Sequence, residues 1–175
     1  MIAREKFRAV FDCNVLVVAA ARDKSPARAC LRLAEFGYIN LFVSKSGLEE
    51  LEDVLNRPEL RNHFLSLTDE VVNSFLAKLR ESARFLRFIP KKFNYPRDVD
   101  DEQYVDLAAA VDAHFIVSRD KDLLSLNTGH TDECKEFRQR FRPLRVVEPL
   151  EFLKEVAQAR NISVEELRTE LGQQR

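Results

Sequence analysis

The sequence predicts an α/β fold built on a doubly wound, mainly parallel sheet. Three observations carry that expectation: short runs rich in Val, Ile and Phe recur along the chain, helical patterns separate them, and two of the runs end in aspartate. Strand–helix alternation is the signature of a parallel sheet covered by helices on both faces. In such sheets ligands bind beyond the carboxyl ends of the strands. Asp12 closes the run Arg8-Ala-Val-Phe-Asp12, and Asp120 closes His114-Phe-Ile-Val-Ser-Arg-Asp120. Two acids from distant parts of the chain could therefore share one sheet edge. Crowded carboxylates resist joint ionisation unless a cation sits among them. The first expectation is an oxygen-rich divalent metal site of the kind that cleaves phosphodiesters.

The elements follow in order. Strands are predicted at 7–11, 39–43, 114–117 and 144–147, short runs in which apolar residues predominate. The first helical pattern spans 15–35 and breaks near Ser25-Pro26, where proline suits a helix start. The second spans 46–56 and stops before Pro58, because a residue preceding proline disfavours the helical region. The third runs from Thr68, a good N-cap, to about Arg84. A fourth covers 101–111, and short helices follow at 122–126 and 149–159. Lys91-Lys-Phe-Asn-Tyr-Pro-Arg-Asp98 is a loop by composition, with Pro90 and Pro96 as breakers. Ser163-Val-Glu-Glu166 is a capping-box pattern that opens a final short helix.

Composition narrows the function classes. A chain of 175 residues is most economically one domain, with 45% apolar and 33% charged residues as expected of a globular protein. We divide it into a main domain at 1–155 and a polar helical tail at 156–175, read as peripheral. A net charge of −1 offers no bulk attraction to nucleic acid, so any such binding needs a local basic patch. Cys13, Cys30 and Cys134 lack CxxC spacing and read as reduced thiols. His63, His114 and His130 lack HxxxH spacing. No apolar stretch approaches the roughly 18 residues of a membrane span, and the N-terminus shows no signal-peptide pattern. The expected location is the cytoplasm, with no membrane partner.

Further residues accompany Asp12 and Asp120 as chemical candidates. Asp12 sits where the first strand meets the first helix, a position at which Asp also serves as an ordinary N-cap. Asn14 could cap there too, or hold the Asp12 carboxylate by hydrogen bonding. In the second helix Glu49 shares a face with Glu52 and Asp53, whereas Glu50 lies one turn before Val54 and borders the apolar stripe. Asp98, Asp100 and Asp101 precede a helix whose buried stripe is Tyr104, Leu107, Ala108 and Val111. Both Asp100 and Asp101 project along that stripe, and spacing does not choose between them. Ser118 and Asp120 alternate to one side if the strand continues that far. Asp122 begins the next helix.

Taken together these segments resemble a known family. Phe11-Asp-Cys-Asn-Val-Leu-Val, Val43-Ser with Leu48-Glu-Glu-Leu-Glu-Asp-Val-Leu, Asp98-Val-Asp-Asp-Glu and Ile116-Val-Ser-Arg-Asp-Lys-Asp-Leu-Leu are similar, in order and spacing, to the motifs of PIN-domain nucleases. Within that family the likeness is greatest to the toxin components of bacterial toxin–antitoxin pairs. It covers roughly residues 7–154. The resemblance implies a three-layer α/β/α sandwich with a central mainly parallel sheet. It places Asp12, Glu50, Asp101 and Asp120 at the four acidic metal-site positions, and Asn14, Ser118 and Asp122 at supporting ones. It further implies a ribonuclease that uses one or two Mg²⁺ or Mn²⁺ ions, an RNA substrate, a cognate antitoxin and a homodimer. Val99 stands where the family favours Pro, and Arg119 where a small residue is common. Residues 127–142 are longer than the likeness predicts.

Two rival readings come with it. A haloacid-dehalogenase-like phosphatase would need a second Asp two residues after Asp12, where this chain has Asn14. A catalytically inactive PIN-like module binding RNA or protein would not need all four acids. Arg80, Arg84 and Arg87 recur at helical spacing, and Arg138, Arg140, Arg142 and Arg145 cluster late. Interleaved acids such as Glu81 and Glu136 favour a solvated face over a phosphate-binding strip there.

Overall fold

A computed structural model describes residues 5–172. Its centre is a five-stranded, wholly parallel sheet formed by β1 (Arg8–Phe11), β2 (Asn40–Ser44), β3 (Ala83–Leu86), β4 (Phe115–Val117) and β5 (Arg145–Val147). The strand order is β3-β2-β1-β4-β5. Val10 stands opposite Phe42 on one side and Ile116 on the other. Buried on both faces, β4 and the part of β1 after Arg8 consist of apolar residues alone, which makes their runs legible.

Right-handed crossovers decide the layers. The connections β1–β2 and β2–β3 step one way through α1 (Cys13–Ala21), α2 (Pro26–Glu35), α3 (Lys45–Leu55), α4 (Pro58–His63) and α5 (Asp69–Ser82). Among these, α1, α2 and α5 pack on one another, and α2 also packs on α9 (Pro149–Arg160). The chain then crosses back through a 3-10 turn (Val99–Asp101) and α6 (Glu102–Ala110), which lies against β1, β2 and β4. The last crossover carries α7 (Lys121–Ser125) and α8 (Asp132–Arg140). Helices thus cover both faces in a PIN-like α/β/α sandwich. Because β1 sends its chain toward β2 and β4 sends its chain toward β5, a crevice opens between the ends of β1 and β4.

Four departures from the sequence expectation have physical causes. The third helix ends at Ser82, and Ala83–Leu86 forms an edge strand; with only part of each residue covered, that strand has no continuous apolar run. Arg84 therefore belongs to β3, with its guanidinium over the Phe42 ring, and does not extend a helical stripe with Arg80 and Arg87. Helix α4 was not expected because it buries no residue and so shows no stripe. Helix α8, inside the long 127–142 segment, buries just Cys134 and Phe137, with Phe137 joining Phe93 and Phe141 in an aromatic cluster. Finally, the tail is not loosely attached. Helix α10 (Val164–Glu170) has its capping box, and it fully buries Leu167 and Leu171. Arg32 donates to the Leu171 carbonyl at 2.7 Å.

All three cysteines are free and buried. Among the described residues, no helix is long and apolar enough to cross a membrane.

Candidate active site

The crevice is built from strand ends upward. Phe11 is the last residue of β1, so Asp12 leaves the sheet with its backbone N–H still bonded to the Val117 carbonyl of β4 at 3.1 Å. Asp12 is also the N-cap of α1, accepting from the Val15 N–H at 2.8 Å through Oδ1. Its second oxygen accepts from the Ser118 hydroxyl. Ser118 in turn accepts from the Asp120 N–H at 2.9 Å, while its own N–H is held by the Val147 carbonyl. One fully buried hydroxyl thereby locks the ends of β1 and β4 together. Asp120 caps α7, accepting from the Asp122 and Leu123 N–H groups. The capping function and the site geometry coexist: each cap spends one carboxylate oxygen on the helix, and the other turns to Ser118 in Asp12 and is left over in Asp120.

The remaining acids come from two helices. Glu50 is half-buried on α3; it accepts from Tyr104 Oη at 3.3 Å and from Gln103 Nε2 at 3.1 Å. Glu49 points away, exposed and paired with Lys45. Asp101 is buried at the start of α6, whereas Asp100 is exposed. One carboxylate oxygen of Asp101, Oδ2, is buried with no hydrogen-bond partner. Asp98, Asp101 and Asp120 bring ligand atoms within 4.8 Å of one another. Among the described residues, no Lys or Arg pairs with Asp12, Glu50, Asp98, Asp101 or Asp120.

Electrostatics reflects this crowding. Burial raises the Asp12 carboxyl to about 6; its bonds from Ser118 and Val15 oppose the rise, and Asp120 and Glu50 add to it. Burial likewise raises Asp101 to about 7, with Asp98, Asp120, Asp12 and Asp122 contributing repulsion in that order. The negative charges of Asp12, Glu50, Asp101 and Asp120 are thus felt across one site. An all-carboxylate donor set with an unpartnered buried oxygen suits a hard, oxygen-preferring divalent cation. It offers nothing to a thiophilic one, since the Cys13 thiol is pushed up to about 12 by burial and by Glu50 and Asp12.

Supporting residues take different parts. Ser118 is the central hydrogen-bonding link, and Asp122 holds Arg97 at 2.7 Å beside the acids. Asn14 is exposed on α1; Asp12 serves as the cap, and Ser118 supplies the bond that Asn14 was a candidate to make. Sequence reasoning missed Tyr104 and Gln103 as the residues that fix Glu50. Tyr104 was visible only as a member of an apolar stripe, yet its hydroxyl also accepts the Cys13 N–H at 3.1 Å. It missed Glu102 and Asp106 as well. Asp106 accepts from the Lys92 and Phe93 N–H groups, and Glu102 from that of Tyr95. These two buried acids of α6 fasten the 91–98 loop that delivers Asp98. Their signal was an acid at i and i+4 on a buried face.

A parallel sandwich with carboxylates converging at the crevice between β1 and β4 defines the class: an α/β/α domain with an acidic, cation-ready centre. The profile of the PIN domain family matches residues 8–122, from the first strand to the acids of α7. The chain belongs to the PIN domain family, whose members are generally metal-dependent nucleases. Neither the curated proteins nor the solved structures yield a match.

Proposed function

We propose that this PIN domain is a divalent-metal-dependent endoribonuclease, with Asp12, Glu50, Asp101 and Asp120 as its cation-binding acids. The observation that supports the reading most is the set of mutually repelling carboxylates with no basic side chain paired to them, one oxygen of Asp101 being buried without a partner. A Mg²⁺ or Mn²⁺ ion held there would supply Lewis-acid polarisation of a phosphoryl oxygen and favour deprotonation of an attacking water. The residues themselves position. Ser118 fixes the orientation of Asp12, Tyr104 and Gln103 fix Glu50, and the α7 amides fix Asp120. Burial and the neighbouring acids raise Asp101 to about 7, and a cation held there would favour its ionised, ligating form. Asp98 lies within the acidic group and widens the donor set.

The preference for RNA, the role as a toxin with a cognate antitoxin, the homodimer and the cytoplasmic location extend this reading from the resemblance of the motifs. So does the division into a nuclease domain at 1–155 and a C-terminal helical segment at 156–175. The test is incubation of the purified chain with structured and single-stranded RNA and with DNA, in Mg²⁺, Mn²⁺ or EDTA. Metal-dependent internal cleavage of RNA is expected. Intact RNA in every metal, together with RNA binding, would assign an inactive binding module instead.

A further inference from the structure

The sheet has a second concave end. Opposite the acidic crevice, at the amino-terminal edge of β1 and β4, lies a half-open cavity of about 520 Å³. Arg8 and Asp12 are four residues apart on one strand, so the two sites are separated by about 13 Å of sheet. The cavity lies within the size range of pockets that hold small organic ligands.

Its lining is basic and comes from separate stretches of chain. Arg8 starts β1, Lys92 lies in the loop fastened by Asp106, and Arg140 and Arg142 flank the end of α8. Arg8 pairs with Glu5 and donates to the Asp112 carbonyl at 2.8 Å; Arg140 pairs with Glu136. Lys92 and Arg142 are different. Among the described residues neither has an acid within ion-pairing distance, and Arg142 spends one N–H on the Arg138 carbonyl. Asp112 is the one acid in the lining. His114 adds a donor, because its Nδ1 accepts the Arg8 N–H at 3.0 Å and the neutral ring then carries its proton on Nε2. The rest of the wall is apolar, formed by Ala108, Ala109, Phe141 and Pro143.

We infer that this cavity is a second, phosphate-binding site of nucleotide size, served by Lys92 and Arg142 with His114 as a neutral donor. Unpaired ammonium and guanidinium groups are suited to phosphate oxygens, and the apolar wall suits the face of a base. A free nucleotide and the terminal nucleotide of a bound RNA strand present the same chemistry. The inference does not depend on the acidic crevice being catalytic.

The experiment measures binding in EDTA, so that no cleavage is needed. Fluorescence anisotropy is followed with a fluorescent adenosine diphosphate and, separately, a labelled ten-residue oligouridine. The proteins are the wild type, the Lys92→Ala/Arg142→Ala pair, the Lys92→Glu/Arg142→Glu pair, and Lys154→Glu as a control on exposed charge. The alanine pair should weaken binding at least about ten-fold, the size expected for losing charge-assisted hydrogen bonds. The charge reversals should weaken it further, and Lys154→Glu should leave it unchanged. Loss of diphosphate binding assigns a free nucleotide; loss confined to oligouridine assigns the end of an RNA strand. Absence of binding to the wild type, equal binding by all four proteins, or equal weakening by the control overturns the inference. Both alanine changes are at exposed positions, so the alanine pair still reads out if the reversed pair fails to fold.

Discussion

A buried carboxylate that must also serve as an N-cap is held in place by the helix and opposed by its neighbours. Asp12 shows both forces, and they make separable predictions. Asp12→Asn keeps an oxygen for the Val15 N–H and removes a charge that burial and Asp120 disfavour, so cleavage should vanish while the metal-free fold holds or gains stability. Activity assays and thermal melts check the two halves. The pH dependence follows from sign. The folded-state value of about 6 lies above the ordinary 3.8, so the folded protein binds more protons than the unfolded chain between those values. Stability therefore falls as pH rises from about 4 through about 6, by on the order of 3 kcal/mol from this group. Asp101 extends the fall to about 7. His114, lowered chiefly by burial, contributes the opposite slope near its own titration. The readout is accordingly the difference between the wild type and Asp12→Asn, which should shrink toward low pH. Identical slopes for the two proteins would remove Asp12 from the strained set. Glu50→Gln should cost far more activity than Glu49→Gln, and Asp101→Asn more than Asp98→Asn. Equal loss at Glu49 and Glu50 would contradict the geometry of α3, and equal loss at Asp98 and Asp101 would give Asp98 a full share in holding the ion.

The edge strand β3 and the short helices α4 and α8 are the elements that pattern reading misjudges, and the cause is partial burial. β3 exposes Arg84 and leaves Phe85 more than a third exposed, so its four residues look like the end of α5. At the other edge β5 is only three residues long, and Asn127 finishes it: the Asn127 amide donates to the Val146 carbonyl and accepts the Val146 N–H at 3.0 Å. One side chain thus substitutes for a sixth strand and closes an edge that could otherwise pair with another chain. Asn127→Ala should cost about 1–3 kcal/mol, because two backbone groups at a buried residue lose their partner. Chemical denaturation measures the loss; a midpoint unchanged from the wild type would show that water replaces the amide without cost.

The whole molecule couples the site to the fold, since only the folded chain assembles carboxylates from α3, α6 and the ends of β1 and β4. Mg²⁺ or Mn²⁺ should therefore raise the melting temperature progressively with concentration, and Asp12→Asn should blunt that rise. A flat response in both metals, with no site found by calorimetry, would leave the acids as structural caps. The terminal helix packs on α9 and buries Leu167, so it should unfold together with the rest of the chain. Leu167→Ala should destabilise by about 2–5 kcal/mol, as for other fully buried leucines, and shift a single unfolding transition. A separate early transition would instead mark the segment as an independent appendage.

The apolar runs of β1, β2, β4 and β5, the helix starts at Pro26, Thr68 and Ser163, and the acids after β1 and β4 were legible because local burial and capping leave periodic marks. The choice of Asp101 over Asp100 was not, because spacing puts both on one stripe and only packing buries one of them. Tyr104 holding Glu50, Asp106 fastening the 91–98 loop, and Lys92 and Arg142 lining one cavity all bring together residues far apart in the chain. Neighbouring sequence carries no trace of such contacts. The sequence by itself determined four of the five strands and the supply of acids; the tertiary structure decided the edge strand β3 and which carboxylates lose water and face one another, because desolvation and mutual repulsion exist only once distant segments converge.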